Sequence, residues 1–361
     1  MTRTSSARTE SAADRAEESA VAAAAGAGDE TAFAGLAERY RRELRIHCYR
    51  MLGSFDDSED LVQETLLRAW RKRATYAGRA PFRAWLYRIA THACLDFLDR
   101  SRRTVPLSGE AAPAAATGGR PLPPVAVPWL QPCPDGLLGP VPADDAAPEA
   151  AAVSKETIEL AFLAAIQHLP PRQRAVLILR DVLGWPAKDA AALLDTSVAA
   201  VNSALQRARP ALREQLPERR LEWRAAADPS EEERAVLRRY MDAIERADDA
   251  AVAAVLREDV RVGHQAGAGG HFGAEPAWYE GRDTVVAGWA PALHGPDALE
   301  FRFLPTRANR QPAAATYVRR PGGSEFRAFA LAVLSVEEGG VREVSVFVPD
   351  VVPAFGLPRT L

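Results

Sequence analysis

Apolar side chains recur at three- and four-residue steps through much of the first two-thirds of this chain, then give way to short alternating runs. From Phe33 to Leu52 the positions Phe33, Leu36, Ala37, Tyr40, Leu44, Cys48, Met51 and Leu52 share one face, the period of an amphipathic helix. Gly53-Ser54 ends it, and Asp56 or Ser58 is placed to cap a second helix with Leu61, Val62, Thr65, Leu66, Ala69 and Trp70 inside. The outer face of that helix begins with Asp56, Asp57, Glu59, Asp60 and Glu64 and finishes with Arg68, Arg71, Lys72 and Arg73. Acid at the front and base at the back suit the helix macrodipole, so a solvated face explains the pattern without further function.

The next helix is different. After a loop with Tyr76 and Arg79, the stretch Pro81 to His92 alternates Arg83 and Arg88 with Phe82, Trp85 and Tyr87, and Arg100, Arg102 and Arg103 close the block. Guanidinium groups bind phosphate, and exposed aromatics stack on unpaired bases. Trp85 and Ile89 read as core, Tyr76 and Tyr87 equally as core or stacking surface, and the basic face as functional.

Residues 104–152 hold APAAATGG, PLPPVAVP and the Asp144-Asp145 pair, an extended linker by composition. Helical periodicity resumes at Val153, and Leu169-Pro170-Pro171-Arg172-Gln173-Arg174 opens another helix, proline being tolerated in a first turn. A short helix from Pro186 to Leu194, the turn Asp195-Thr196-Ser197 and a longer helix from Val198 make a helix-turn-helix pattern. Its second helix presents Ser197, Ala200, Asn202, Ser203, Gln206 and Arg207 outward, among them side chains able to read base edges. Pro210 lacks a backbone donor and is expected to kink or end that helix.

The last third begins with an amphipathic helix on Val236, Leu237, Tyr240, Met241 and Ile244, and a helix through Ala251 to Leu256 continues it. The runs Leu299–Leu304, Ala314–Val318, Phe326–Val336 and Val341–Val348 follow, with Pro321-Gly322-Gly323 and Gly339-Gly340 at turns. Helices before a curved antiparallel sheet read as an α+β cone.

Composition changes the picture in one respect. The 361 residues are 47% hydrophobic and 26% charged, ordinary for a globular chain of two or three domains, and the net charge is −3. That total hides strong segregation. Residues 29–67 carry 5 basic and 9 acidic side chains, a charge of −4, whereas residues 68–103 carry 10 and 2, a charge of +8. Residues 153–224 carry +3 (11 basic, 8 acidic) and residues 225–361 carry −5 (15 basic, 20 acidic). The basic segments coincide with the two candidate DNA-binding helices. No apolar stretch nears the roughly 18 residues needed to cross a bilayer, so no membrane is expected. The N-terminus lacks a signal-peptide core, and Cys48, Cys94 and Cys133 form neither a CxxC nor an even set, which fits a reducing cytoplasm. No cofactor and no metal are expected.

Four motifs in order carry a family resemblance: Ser58-Glu59-Asp60-Leu61-Val62-Gln63-Glu64-Thr65, Phe82 to Ala90, Leu169 to Arg174, and Ser197 to Leu205. Over residues 29–216 the chain resembles the extracytoplasmic-function group of bacterial RNA polymerase sigma factors. The resemblance implies that Asp60, Gln63 and Glu64 dock on core RNA polymerase. It implies that Tyr76, Arg79, Arg83, Tyr87, Arg88, His92, Arg100 and Arg103 melt and hold the −10 promoter element. It implies further that Arg172, Ser197, Ala200, Asn202, Ser203, Gln206 and Arg207 serve the −35 element. His92 departs from the asparagine common in the family. Trp278-Tyr279-x-Gly281-Arg282-Asp283 and Phe355-Gly356-Leu357-Pro358 make the C-terminal third similar to SnoaL-like (NTF2-like) domains, and Trp129 to Asp135 matches a linker motif of sigma factors that carry one.

The expected organisation is therefore multidomain. A disordered tail (1–28) precedes a helical region 2 (29–103), a flexible linker (104–152), a helical region 4 with the helix-turn-helix (153–216) and a regulatory α+β cone (229–355). Asp259, His264, Trp278 and Tyr279, with His271, are the candidates to line a pocket in the cone. No paired acid and base stands out there, so no catalytic residue is assigned and the chain is not read as an enzyme. Expected partners are core RNA polymerase and promoter DNA, with an anti-sigma factor or a small-molecule ligand of the cone as further candidates. Two other readings stay open: a stand-alone helix-turn-helix regulator, and an enzyme acting through the cone.

Overall fold

The computed structural model describes residues 20–76, 78, 80–101, 103, 122–138, 158–216 and 229–361. Its helices in chain order are α1 (Glu30–Leu52), α2 (Phe55–Arg71), α3 (Phe82–Ser101), α4 (Leu160–Gln167), α5 (Pro171–Leu177), α6 (Ala187–Leu193), α7 (Val198–Gln215), α8 (Glu231–Glu245), α9 (Asp249–Val255) and α10 (Arg282–His294). The strands are β1 (Leu256–His264), β2 (Ala277–Glu280), β3 (Glu300–Ala308), β4 (Gln311–Arg319), β5 (Arg327–Glu337) and β6 (Gly340–Phe347). Contacts divide the chain into two units, residues 1–103 with 170–208, and residues 104–169 with 209–361.

In the first unit, α1 starts at Asp29, whose carboxylate accepts from the Ala32 amide at 3.0 Å, and stops at Gly53, which takes φ 70°. Only glycine adopts that conformation cheaply, and its N–H returns to the Tyr49 carbonyl at 2.8 Å. Ser54, rather than Asp56 or Ser58, caps α2 by accepting from the Asp57 amide at 3.3 Å. The apolar faces meet around Leu44, Cys48, Met51, Leu86, Ala90 and Cys94, all inaccessible to solvent. Phe33 packs on Trp70 with ring centroids 5.1 Å apart, and Phe82 on Tyr76 at 5.3 Å. Residues 20–27 are helical, with Ala22 and Ala25 fully buried, so that part of the expected disordered tail is packed. Small alanine side chains allow this close approach although they leave little periodic signal.

Helices α5, α6 and α7 form the helix-turn-helix, with a π-helical turn over Ile178–Val182 between α5 and α6. Arg174 of α5 is buried and donates from Nη1 to the Met51 carbonyl at 2.5 Å, satisfying a C-terminal carbonyl of α1. Burial lowers its guanidinium pKa to about 9. Pro210 does not end α7, which runs on to Gln215. Its ring is exposed, and Leu212 and Leu216 beyond it are buried.

In the second unit the strands make one sheet in the order β2-β1-β6-β5-β4-β3, with β1 parallel to β6 and every other pair antiparallel. The expected helix end at Ala251–Leu256 turns into β1, and β2 is a further strand that alternation alone did not mark. One face carries Val260, Val262, Ala314, Ala332, Leu334, Val344 and Val346 and packs on Val236, Leu237, Tyr240 and Ile244 of α8. A capping box at Ser230 and Glu233 fixes the start of that helix.

The other face carries Arg261, Gly263, Val333, Glu343 and Ser345, since adjacent strand residues point to opposite sides. It is covered by chain that composition assigned to a flexible linker. Residues 122–138 run over it as a strap that includes a 3₁₀ turn at Pro124–Ala126 and a helical turn at Asp135–Leu138. Val125, Leu130 and Cys133 of the strap are fully buried. Gly263 is required beneath it, because a Cβ there would lie 2.5 Å from Val125 Cγ2. The remainder of the expected linker lies outside the described residues.

Candidate nucleic-acid interface

Helix α3 sets Arg83, Arg88 and His92 along the first unit. Arg83 Nε donates to Glu43 Oε2 at 2.6 Å and its guanidinium lies 5.0 Å from the Tyr87 ring centroid. Arg88 is exposed and donates from Nη2 to Asp195 Oδ1 at 2.6 Å. His92 Nε2 lies 3.3 Å from the second oxygen of the same carboxylate, while its Nδ1 is 2.8 Å from the Arg88 carbonyl oxygen. Asp195 occupies the helix-turn-helix turn with φ 51°, a left-handed conformation that aspartate tolerates better than most residues.

Tyr87 is buried, not presented. Its ring packs on Trp185 at 5.4 Å and its hydroxyl lies 3.3 Å from Glu43, with burial raising its pKa beyond the usual tyrosine range. Tyr76 is half-buried, between Phe82 and Trp85, and donates from its hydroxyl to the Ala80 carbonyl at 3.2 Å. Arg100 is exposed, whereas Arg103 pairs with Asp57 at 2.7 Å over the Phe97 ring. Arg79 lies outside the described residues. Between α3 and the α5–α6 turn runs a groove of about 620 Å³, lined by Arg83, Trp85, Arg88, Trp185 and Asp189 among others.

On α7, Ala200, Asn202, Gln206 and Arg207 are exposed and Ser203 half-buried, while Val201, Leu205 and Ala208 turn inward. Ser197 spends its hydroxyl on capping, accepting from the Ala200 amide at 3.1 Å. Arg207 donates to Ser203 Oγ at 2.7 Å, which orients its guanidinium along the outer face. Arg172 is exposed at the start of α5. This helix can enter a major groove with an amide, a guanidinium and a hydroxyl directed outward.

The outer face of α2 brings Asp60 and Gln63 together, both exposed, with the half-buried Glu64, which pairs with Arg68 at 2.6 Å. One residue of this face escaped the sequence reading. Leu67 follows at the next turn and is 51% exposed, the largest apolar side chain on it. The signal was present in the spacing 60, 63, 64, 67, which defines one helical stripe.

Only some of the candidate pocket residues of the cone converge: His264 meets Tyr279 and has His271 nearby, whereas Trp278 and Asp259 lie elsewhere. His264 is buried beside Tyr279, with ring centroids 6.2 Å apart, and burial lowers its pKa to about 4. Trp278 neighbours Tyr279 in β2 and so points to the opposite side of the sheet. Asp259 is exposed and ion-paired with Arg257 at 3.0 Å, and His271 lies with Nε2 2.6 Å from the Glu275 carbonyl oxygen. Among the described residues no group of His, Cys, Asp or Glu is arranged to hold a metal ion, and no helix is long and apolar enough to cross a membrane. All three cysteines are free and buried.

Comparison with known proteins places these features in one family. The chain matches the family descriptions "Sigma-70 region 2" over residues 36–104, "Sigma-70, region 4" over residues 159–212 and "SnoaL-like domain" over residues 237–344. It is 40% identical over 331 residues to the ECF RNA polymerase sigma factor SigG of Mycobacterium tuberculosis H37Rv, covering 91% of this chain and 85% of that protein. It is 31% identical over 192 residues to SigW of Bacillus subtilis, covering 52% of this chain and 91% of that one. The crystal structure of the extracytoplasmic function sigma factor SigJ of Mycobacterium tuberculosis shares its fold, with a TM-score of 0.55 at 23% identity over 89% of this chain and 98% of that one. The chain belongs to the ECF RNA polymerase sigma factors and carries a SnoaL-like domain at its C-terminus.

Proposed function

We propose that this sigma factor divides promoter recognition among three surfaces and that the cone modulates the result. The α2 stripe of Asp60, Gln63, Glu64 and Leu67 docks on core RNA polymerase. The −10 element is held by α3 and the segment before it: Arg83, Arg88, His92 and Arg100 neutralise phosphates, with Tyr76, Arg79 and Arg103 at the margins. Tyr87 becomes a stacking surface only when Trp185 leaves it. The −35 element is read by Asn202, Gln206 and Arg207, with Ser197, Ala200 and Ser203 against the groove wall and Arg172 on the backbone. Each phosphate contact displaces condensed counterions, so binding weakens steeply with salt.

The observation that carries this reading is the outward set on α7 beside a basic α3. No catalytic role is assigned to the cone, since Trp278 and Asp259 lie away from the His264–Tyr279 pair and no acid and base are brought together there. A cytoplasmic protein regulated through the cone, by a small ligand or an anti-sigma protein, fits the same reading. Co-purification with core polymerase and run-off transcription test it. Transcription that survives without the chain, or duplex binding without any association with polymerase, would favour a stand-alone regulator.

A further inference from the structure

We infer that the β3–β4 turn is a clasp that sets the tether between the two DNA-reading modules, with Asn309 as its positioning residue. The inference rests on the promoter-recognition reading above and specifies which part of the cone does the tuning.

Hairpin tips normally face water. This one does not. Asn309 is completely buried and Arg310 nearly so, both with positive φ (57° and 60°), the geometry of a two-residue turn with left-handed centres. The Asn309 side chain is used at both ends. Its Oδ1 accepts from the Cys133 amide at 2.8 Å, and its Nδ2 donates to the Ile158 carbonyl at 2.7 Å. Its own amide donates to the Cys133 carbonyl at 3.0 Å. One side chain thereby pins two points of the chain that are separated by residues 134–157.

The neighbouring bonds reinforce it. The Arg310 amide donates to Asp135 Oδ1 at 2.8 Å, and the Leu160 amide to Gln311 Oε1 at 3.1 Å. Further along the strap, Gln265 Nε2 donates to the carbonyls of Pro128 at 2.9 Å and Leu130 at 3.1 Å. These groups are withdrawn from water, so releasing the strap strands several of them at once. The clasp opens as a unit.

Its effect is on reach. With the clasp closed, only residues 104–121 join α3 to the cone, a span of at most about 60 Å at ~3.4 Å per residue. With it open, residues 104–169 all separate α3 from Pro170, a limit near ~220 Å. A short tether concentrates the second module over sites within reach and excludes the rest. The clasp therefore narrows the set of −35 to −10 spacings that the protein accepts.

The test uses the full chain as wild type, Asn309→Gly and Gln265→Ala. Glycine keeps the turn conformation and removes only the side-chain bonds. Maleimide labelling mapped by peptide mass reads strap release at Cys133, with Cys48 and Cys94 as internal references. Selection of promoters by each protein with core polymerase from a randomised DNA library reads the accepted spacings. The expected result is at least tenfold faster labelling of Cys133 with the references unchanged, and at least twice as many accepted spacer lengths. Unchanged Cys133 labelling in both variants overturns the clasp. Faster labelling with an unchanged spacer distribution overturns its role as a tether setter. Failure of the wild type to select any promoter removes the underlying recognition reading, and this inference with it.

Discussion

Asp195 and Arg88 are joined at 2.6 Å within the first unit, the carboxylate of the helix-turn-helix turn pairing with a guanidinium of α3. The same carboxylate reaches His92 at 3.3 Å. An acidic residue thus holds two side chains proposed above to bind the −10 element, while the turn that carries it belongs to the helix-turn-helix.

Asp195→Asn should raise the affinity of the free chain for single-stranded −10 DNA. Both partners are about half exposed, so the pair is worth no more than about 1 kcal/mol, or roughly fivefold in binding. Fluorescence anisotropy at low salt reads the change. Equal affinity for the two proteins would show that Asp195 does not compete with DNA.

Arg207→Ala should weaken −35 duplex binding and lower the salt slope by about one if it meets a phosphate. If it reads a base instead, the loss is about 1–3 kcal/mol and is confined to one position of the site. Titrations at several salt concentrations on matched and mismatched duplexes separate the two.

Leu67→Ser should reduce affinity for core polymerase by about tenfold, since Leu67 is already half buried and burying the remainder contributes roughly 1–1.5 kcal/mol. DNA binding by the free chain should not change. Competition against a labelled sigma factor measures the first, and anisotropy the second.

His47 makes stability pH-dependent. Its Nε2 lies 2.9 Å from Thr91 Oγ1, which gives its own proton to the Tyr87 carbonyl at 2.7 Å, so Nε2 carries a proton and is the donor. Burial, with Arg50 and Arg83 nearby, lowers its pKa from 6.5 to about 3. The unfolded chain therefore binds a proton that the folded one refuses, and stability falls as pH drops from about 6.5 toward 3. The slope is ~1.4 kcal/mol per pH unit from this residue. Thermal unfolding between pH 7 and 4 should show the decline, and His47→Gln should flatten it.

The helices with strong periodicity, α1, α2 and α8, were legible because local pattern and burial agree there. The outward set on α7 was legible for the same reason, since Val201, Leu205 and Ala208 fix which side is inside. What could not be read depends on distant partners. Tyr87 is buried by Trp185, nearly a hundred residues away, and nothing near Tyr87 announces it. The strap looks like linker because proline and alanine carry no period, and its order comes from Gln265 and Asn309. The turn at Asn309-Arg310 lacks the glycine that usually marks a left-handed pair. Trp278 and Tyr279 were expected together but point apart, because strand pleat, not sequence proximity, decides which residues meet.

Gly263 has a bearing on how such proteins are built. With no room for a methyl group between β1 and Val125, the cone and its strap are matched parts that cannot be exchanged separately. A chimera cut at residue 229 would seat a foreign cone under this strap and clash wherever the donor carries a side chain at that place. A cut ahead of residue 122 would carry both pieces together. Shuffling among relatives, natural or engineered, is therefore expected to inherit the strap, α4 and the cone as one cassette, interrupted in sequence by the reader it serves.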